Sequence, residues 1–550
     1  MATIKNLLGL GFVILFSCSI SKAQNNEGQV HGNVQIDAQV YKTDSIIGAE
    51  VPPSRMGFNS YANLNYTKGN FTAGLRYEGY MNAMLGYDEE YNDVGIPIRY
   101  ISYRSDELEI TVGSFYDQFG NGLIFRSYED KSLGYDNAMD GIKIKFNPYK
   151  GVYLKGFTGK QRKYFDLGPG IIRGIDGEFL INDIFESMSA LKSQVILGGS
   201  FVSKYQKDEN PVYNLPENVG AFSSRFTFIN GGFNLNGEYA YKYPDPHPDV
   251  IDQYNYNTKF GDVILVNATY SRKGLGVFLS VKRVDNMSYR SDRNATLNNL
   301  NINFIPSITK NHTYALAAMY PYVTQPNGEL GLQGEVIYNF KKETFLGGKY
   351  GTNLTVNFSQ VNSLKTTPTA NYEKYESEYL AIGDELYYRD LNVKVHKKIN
   401  NKWKVDLNYL NLKFNNNILK LILDESGSST FGMLDANILV ADVSYKIKSR
   451  QTLRLELQGL FTEQDKGDWA SGLLEYTLAP KWFLAFSDQY NYGNENDKVH
   501  YFNIAAGYKK KANRIQIGYG RQREGVVCIG GVCRNVPASS GFNISITSSF

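Results

Sequence analysis

The stretch Val30-His31-Gly32-Asn33-Val34-Gln35-Ile36-Asp37-Ala38-Gln39-Val40 decides how the rest of the chain is read. Val30, Gly32, Val34, Ile36, Ala38 and Val40 are apolar or small; the residues between them, His31, Asn33, Gln35, Asp37 and Gln39, are polar. Successive side chains of a strand point to opposite faces, so this stretch folded as a strand has one apolar and one hydrophilic face. A strand with lipid outside and water inside needs that pattern. A soluble sandwich with one solvated face alternates too, so this stretch alone leaves two architectures open.

The rest of the chain separates them. Phe71, Ala73, Leu75 and Tyr77 alternate with Thr72, Gly74, Arg76 and Glu78, and Leu453, Leu455, Leu457, Gly459 and Phe461 with Arg454, Glu456 and Gln458. Connections alternate in length: short turns at 67–70, 105–107, 230–232, 448–451, 479–481 and 509–513, and long polar loops at 81–97, 117–139, 244–261 and 362–382. Short turns at one end and long loops at the other are the habit of outer-membrane barrels. No linker or second domain interrupts the pattern in the 550-residue chain, although a soluble sandwich of that size divides into domains. The last segment, Phe542, Ile544, Ile546, Ser548, Phe550, ends on an aromatic residue, similar to the C-terminal signal by which outer-membrane barrels are recognised for assembly. The expectation is an all-β protein: one large antiparallel transmembrane β-barrel of about 26 strands (22 to 26), with the least regular segments at Gly141 to Phe146 and Asn298 to Phe304.

Residues 1–23 read as a cleaved leader, with Lys5 first, an apolar run from Leu7 to Ile20 and the exit Ser21-Lys22-Ala23 before Gln24, leaving 24–550 as the barrel. A lipoprotein box ending at Cys18 fits less well because of Phe16. The apolar run is too short to span a membrane as a helix, and with 42% hydrophobic residues and no other long apolar run a helical membrane protein is excluded. The 42 Tyr and 31 Phe suit strands and the aromatic belts at membrane interfaces. Of 58 basic residues Lys5 and Lys22 leave with the leader, so 56 face 55 acidic ones, and nothing points to a nucleic-acid partner.

A barrel this wide has a lumen that must be lined or filled. The alternation starts at Val30, which leaves no room for the N-terminal plug domain of TonB-dependent transporters, so inward loops are the candidates. Residues 117–139 carry Arg126, Glu129, Asp130 and Lys131, and residues 159–174 carry Arg162 and Arg173 besides Lys160 and Lys163; mixed charge on an inward loop forms a solute-filtering constriction. The acidic run Asp88-Glu89-Glu90-Tyr91-Asn92-Asp93 offers oxygens to calcium but reads better as a loose loop, and Pro244 to Asp249 as a stiff one. Cys528-Ile529-Gly530-Gly531-Val532-Cys533 reads as a hairpin tip: a Gly-Gly turn pairs Ile529 with Val532 and sets Cys528 facing Cys533, at a separation that suits a disulfide in the oxidising envelope. Neither cysteine has the companions for a metal site. His31, His247, His312, His396 and His500 sit in no motif with Ser, Asp or Asn, so no catalytic site, metal or cofactor is expected.

The run Gly113-Ser114-Phe115-Tyr116-Asp117-Gln118-Phe119-Gly120-Asn121-Gly122-Leu123, followed by Arg126, Glu129 and Asp130, then Arg173-Gly174-Ile175-Asp176-Gly177-Glu178 and Gly347-Gly348-Lys349-Tyr350-Gly351-Thr352, resembles a Bacteroidota family of outer-membrane barrels with no assigned function. The resemblance implies membership and location, with no catalytic residues to carry over. Related large barrels include subunits of envelope machines such as the barrel-assembly (BAM) machinery. Two functions follow: a porin-like channel for small hydrophilic solutes with a loop-restricted lumen, or a non-enzymatic barrel subunit of an assembly or secretion machine. The expected partners are outer-membrane lipids and the BAM machinery, as folding factor and, in the second reading, as stable complex; a homo-oligomer is the remaining option.

Overall fold

Two-residue turns show how neighbouring strands are joined. Lys68 pairs with Phe71 across Gly69-Asn70, and Asn230 with Phe233 across Gly231-Gly232. Gly69 and Gly231 have φ of 56° and 57°, the left-handed value that a hairpin turn matched to strand twist requires. Strands joined this way must be antiparallel neighbours, and the whole sheet follows that rule.

The computed structural model describes residues 28–246, 257–295, 299–369, 374–418, 432–529 and 532–550, with backbone alone at 527–529 and 532–533. The expected leader 1–23, the second half (247–249) of the proline-rich run 244–249, Gly530 and Gly531, where a turn was expected, and the side chains of Cys528 and Cys533 lie outside the described residues. Twenty-four strands form one antiparallel sheet in which each pairs with the next barrel strand. The last, Ser539–Ser549, pairs back with the first, Gln29–Tyr41, from Asn33 opposite Ser549 to Tyr41 opposite Gly541, so the sheet is a closed barrel with no free edge. Two small hairpins, Glu129–Asp130 with Tyr135–Asp136 and Gly525–Ile529 with Val532–Val536, stand apart from it.

The count is 24 where about 26 were expected. Gly141 to Phe146 belongs to a genuine barrel strand, Met139–Tyr149, but the described part of 298–304 joins no barrel strand; the described residues between Leu275–Asp285 and Gly328–Phe340 run inside the lumen instead. Gly159 to Gly174 is likewise no loop: it is the hairpin of Val152–Lys163 and Asp166–Leu180.

The first and last strands start and finish at the end bearing the short turns, the periplasmic end of such a barrel. Longer connections there are 181–192, with helical turns Ile181–Ile184 and Glu186–Ser189, and 341–351. The opposite end carries the long segments. Outward positions are apolar and exposed, as in Val30, Leu64, Leu75, Ile101, Val112 and Ile175, which places lipid against them. Among the described residues no helix is long and apolar enough to cross a membrane; strands do the crossing.

Candidate functional site

Among the described residues, two segments of the chain occupy the lumen. Strand Leu108–Phe115 stops at eight residues, and residues 116–138 turn inward. Their run Phe119, Leu123, Ile124, Phe125 is completely buried, packed on Phe115, Phe157 and Ile172 and on the inward residues Val202, Val219, Ala221, Ala240 and Val263. The second segment, 286–327, continues this cluster with Met287, Tyr289, Ile302, Ile305 and Ile308. It then crosses to a second cluster, where Leu316, Ala317, Met319, Tyr320 and Tyr322 pack on inward residues including Leu410, Leu412, Ile438 and Leu460.

Irregular backbone at membrane depth is tolerable only where protein satisfies its polar groups. The two segments satisfy each other: Arg126 N–H donates to the Ile302 carbonyl (2.9 Å), Phe304 N–H to that of Gly122 (2.9 Å), and Asn137 Nδ2 to that of Asn301 (3.0 Å). The wall supplies further partners. Asn121 N–H donates to Glu238 (2.7 Å), Leu316 N–H to Gln458 Oε1 (2.9 Å), and the Ser291 hydroxyl to Gln161 Oε1 (2.6 Å). Lys310 pairs with Glu335 (2.6 Å) and His312 with the buried Asp390 (3.1 Å). The fully buried Lys282 holds Glu329 (2.6 Å) and the Pro306 carbonyl (2.5 Å), and Tyr322 donates to the same Glu329.

The strongest tie is a buried ionic cluster. From the strand Phe71–Tyr80, Arg76 reaches Glu78 (2.6 Å), Glu129 (2.8 Å) and Asp136 (2.6 Å). From the strand Val152–Lys163, Arg162 reaches the same Glu78 and Asp136, both at 2.6 Å. The Tyr116 hydroxyl donates to Asp136 (2.9 Å). Two guanidiniums thus share three carboxylates, which clamps the small hairpin Glu129–Asp130/Tyr135–Asp136 between two wall strands. Burial keeps the Tyr116 phenol protonated far above its ordinary range and raises the Glu129 carboxyl in spite of Arg76.

Of the six residues expected at a constriction, Glu129 and Arg162 meet in this cluster. Asp130 instead caps its own turn, accepting from Ser132 N–H (2.9 Å) and hydroxyl (2.6 Å). Lys131 lies 4.3 Å over the Tyr61 ring, and burial lowers its pKa. Arg126 lies over both rings of a T-shaped pair, Tyr128 (4.3 Å) and Phe304 (4.1 Å). Arg173 is exposed on the outward face it shares with Ile175 and joins neither segment. The sequence reading missed Arg76, Glu78 and Asp136 as site residues, and the whole of 286–327. A signal existed: near the long-loop end, inward positions such as Val202, Ala240, Val263, Leu410 and Leu412 are apolar like their outward neighbours, as in strands buried on both faces.

The other side of the lumen is different. From Trp482–Tyr490 through the closing pair to Met56–Lys68, inward positions carry Ser487, Asn503, Ser545, Gln35, Asp37 and Asn63, all half-buried. At the closure, Gly32 and Phe550 exchange backbone hydrogen bonds (3.0 Å each), and a Cβ on Gly32 would stand 2.9 Å from the Phe550 ring. The acidic run 88–93 spends its oxygens locally: Asp88 accepts from Glu90 N–H (3.0 Å) and the Tyr164 hydroxyl (2.5 Å), and Glu90 pairs with Lys163 (3.3 Å). In the outer hairpin Cys528 is the register partner of Cys533.

A closed antiparallel barrel, apolar outside and furnished within, is an outer-membrane β-barrel, and this one carries its own lumenal segments. Residues 4–550 match the family described as a family of unknown function (DUF6029), and the chain belongs to it. No curated protein matches it in sequence. Among solved structures it is similar to the translocation pore of the P pilus usher PapC (10% identity over 95% of this chain and 99% of that one, TM-score 0.44). It is also similar to a mutant ferric enterobactin receptor, PfeA, from Pseudomonas aeruginosa (12% identity, 96% and 81% covered, TM-score 0.44) and to the copper transporter OprC (9%, 96% and 82%, TM-score 0.39). Scores this low leave the role of the chain to its own geometry.

Proposed function

We propose that the protein is a channel for small hydrophilic solutes, narrowed by its own lumenal segments. One observation carries the reading: the lumen is furnished unevenly. Apolar packing and ion pairs fix the described residues of 116–138 and 286–327 against one part of the wall, while the strands around the closure present polar side chains that are only half-buried. A polar strip beside a fixed plug is a hydrated path whose width is set by the plug. Reconstitution in a planar bilayer tests it. Wild-type protein is expected to conduct in small steps, and replacing 309–316 by a Gly/Ser linker of equal length to enlarge them. Absence of conductance from both proteins overturns the reading.

The double anchoring of 286–327, on both buried clusters, favours a second reading: a non-enzymatic barrel subunit of a multi-protein envelope machine. It expects other envelope proteins in stoichiometric amounts after gentle detergent purification, and a silent bilayer. A protein that arrives alone and conducts excludes it.

A further inference from the structure

We propose that the periplasmic rim between strands Gly261–Arg272 and Asn513–Gln522 is a binding surface for anionic phospholipid headgroups. Its turns are basic. That after Gly328–Phe340 carries Lys341, Lys342 and Lys349; that after Tyr375–Lys398 adds Lys402 to the strand-end Lys397 and Lys398. Arg450 follows Lys446 and Lys448 in the next, and Lys509, Lys510 and Lys511 run together further on. Glu343 is the one acid in these four turns. Among the described residues none of these cations is in an ion pair; Lys349 and Lys398 lie over the Tyr350 ring (5.9 and 4.6 Å), and Lys397 donates to the Leu346 carbonyl (3.4 Å).

The rest of the same rim is built differently. There Lys150 pairs with Asp183 (3.4 Å), Arg104 faces Glu109 (3.9 Å), and Asp106 and Glu107 occupy a turn. The chain as a whole is nearly neutral, so the basic arc is a local concentration of charge.

Three features make the occupant a membrane surface. An outward aromatic belt runs beside the arc, in pairs across neighbouring strands, Trp403 with Tyr445 (4.4 Å) and Trp482 with Tyr508 (4.5 Å). Such belts mark the boundary of the hydrocarbon. A strand advances about 3.3 Å per residue and a tilted one roughly 2.3 Å in depth, while the headgroup layer on each side is about 5–7 Å thick. Lys402 and Lys481, in turns beside belt aromatics, and Lys510, two residues from Tyr508 on the same outward face, have their ammonium groups at phosphate level. Finally, Phe345 is 98% exposed and Leu346 54%, on a turn flanked by lysines. An apolar tip among cations is stable in the interfacial layer and unfavourable in bulk water.

The test uses the full mature chain reconstituted in phosphatidylcholine vesicles, with trace spin-labelled phosphatidylglycerol or phosphatidylcholine reporting the lipid held at the protein. Wild type is expected to prefer phosphatidylglycerol by roughly fivefold, the effect of one lysine near an anionic surface, or more. The preference is expected to fall toward equality at about 1 M salt, where the Debye length is about 3 Å. The triple variant K397Q/K398Q/K402Q is expected to lose most of it and K150Q to keep it, each variant first shown folded by its heat-dependent gel mobility. Equal association of both lipids with wild type, or full selectivity in the triple variant, overturns the proposal. So does a soluble acidic protein that co-purifies with wild type and is released by the triple variant while neither prefers phosphatidylglycerol.

Discussion

Arg162 illustrates what a single side chain holds in this lumen. Its guanidinium is shared by Glu78 and Asp136, both buried, and Arg76 alone cannot neutralise those carboxylates and Glu129 together. Removing one partner of a buried pair costs roughly 3–5 kcal/mol, because the charges left behind have lost water as well as their partner. Arg162→Ala is therefore expected to free the 116–138 segment, seen as faster proteolytic cleavage there while the barrel keeps its heat-dependent gel mobility. Asp117, at the start of the same segment, gives a pH signature. Burial raises its carboxyl, but Lys155 (3.1 Å) and Lys143 (3.4 Å) more than offset that, and its pKa ends below the ordinary value. The unfolded segment then binds the proton more readily than the docked one. Asp117 stabilises docking fully above the ordinary aspartate range, and this is lost as pH falls through the depressed value. Pepsin digestion between about pH 4 and about pH 2 is expected to cut the segment more readily toward the acid end, and Asp117→Asn to be cut readily across the range.

At the scale of elements, the alternation that makes a strand was legible wherever water lined its inner face. Val30 to Val40 and Phe71 to Glu78 are strands with the inward and outward sets read from the sequence, Arg76 and Glu78 inward. What the sequence hid is which inward residue meets which loop. Arg76 and Asp136 are 60 residues apart and Arg162 and Glu78 are 84, and no local pattern records such pairings. Nor does a turn or a charge mark 286–327 as lumenal; it is polar enough to pass for an external loop and, at Asn298 to Phe304, regular enough to pass for a strand. The hairpin Gly525–Ile529/Val532–Val536 is the converse case: the register expected from Gly530-Gly531 in the sequence is the one the strands have, with Cys528 opposite Cys533. A disulfide there remains a proposal, with a direct check: the mature chain is expected to take up a thiol reagent only after reduction, and then at two positions. Labelling without reduction argues for free thiols.

The whole molecule depends on a closure made by its most distant parts. Gln39 donates to Ser539 across 500 residues, and the Phe550 ring sits against Gly32 where no side chain intervenes. Phe550→Ala is expected to slow folding into vesicles, followed by the appearance of the compact gel band, while leaving the folded barrel's other pairings intact. Replacing Gly32 by Val is expected to do more, because a Cβ there would also stand 2.3 Å from the Asn63 carbonyl oxygen. The arrangement has a kinetic meaning. Every strand, the first included, can pair with a sequence neighbour as soon as that neighbour is made, but the second pairing of the first strand, with the last, joins the two ends of the chain and comes as one late step. Until then the sheet has two open edges, each a template for pairing with another chain. Time spent in that open-edged intermediate, rather than the depth of the final energy minimum, governs how much of this protein reaches its membrane and how much aggregates on the way.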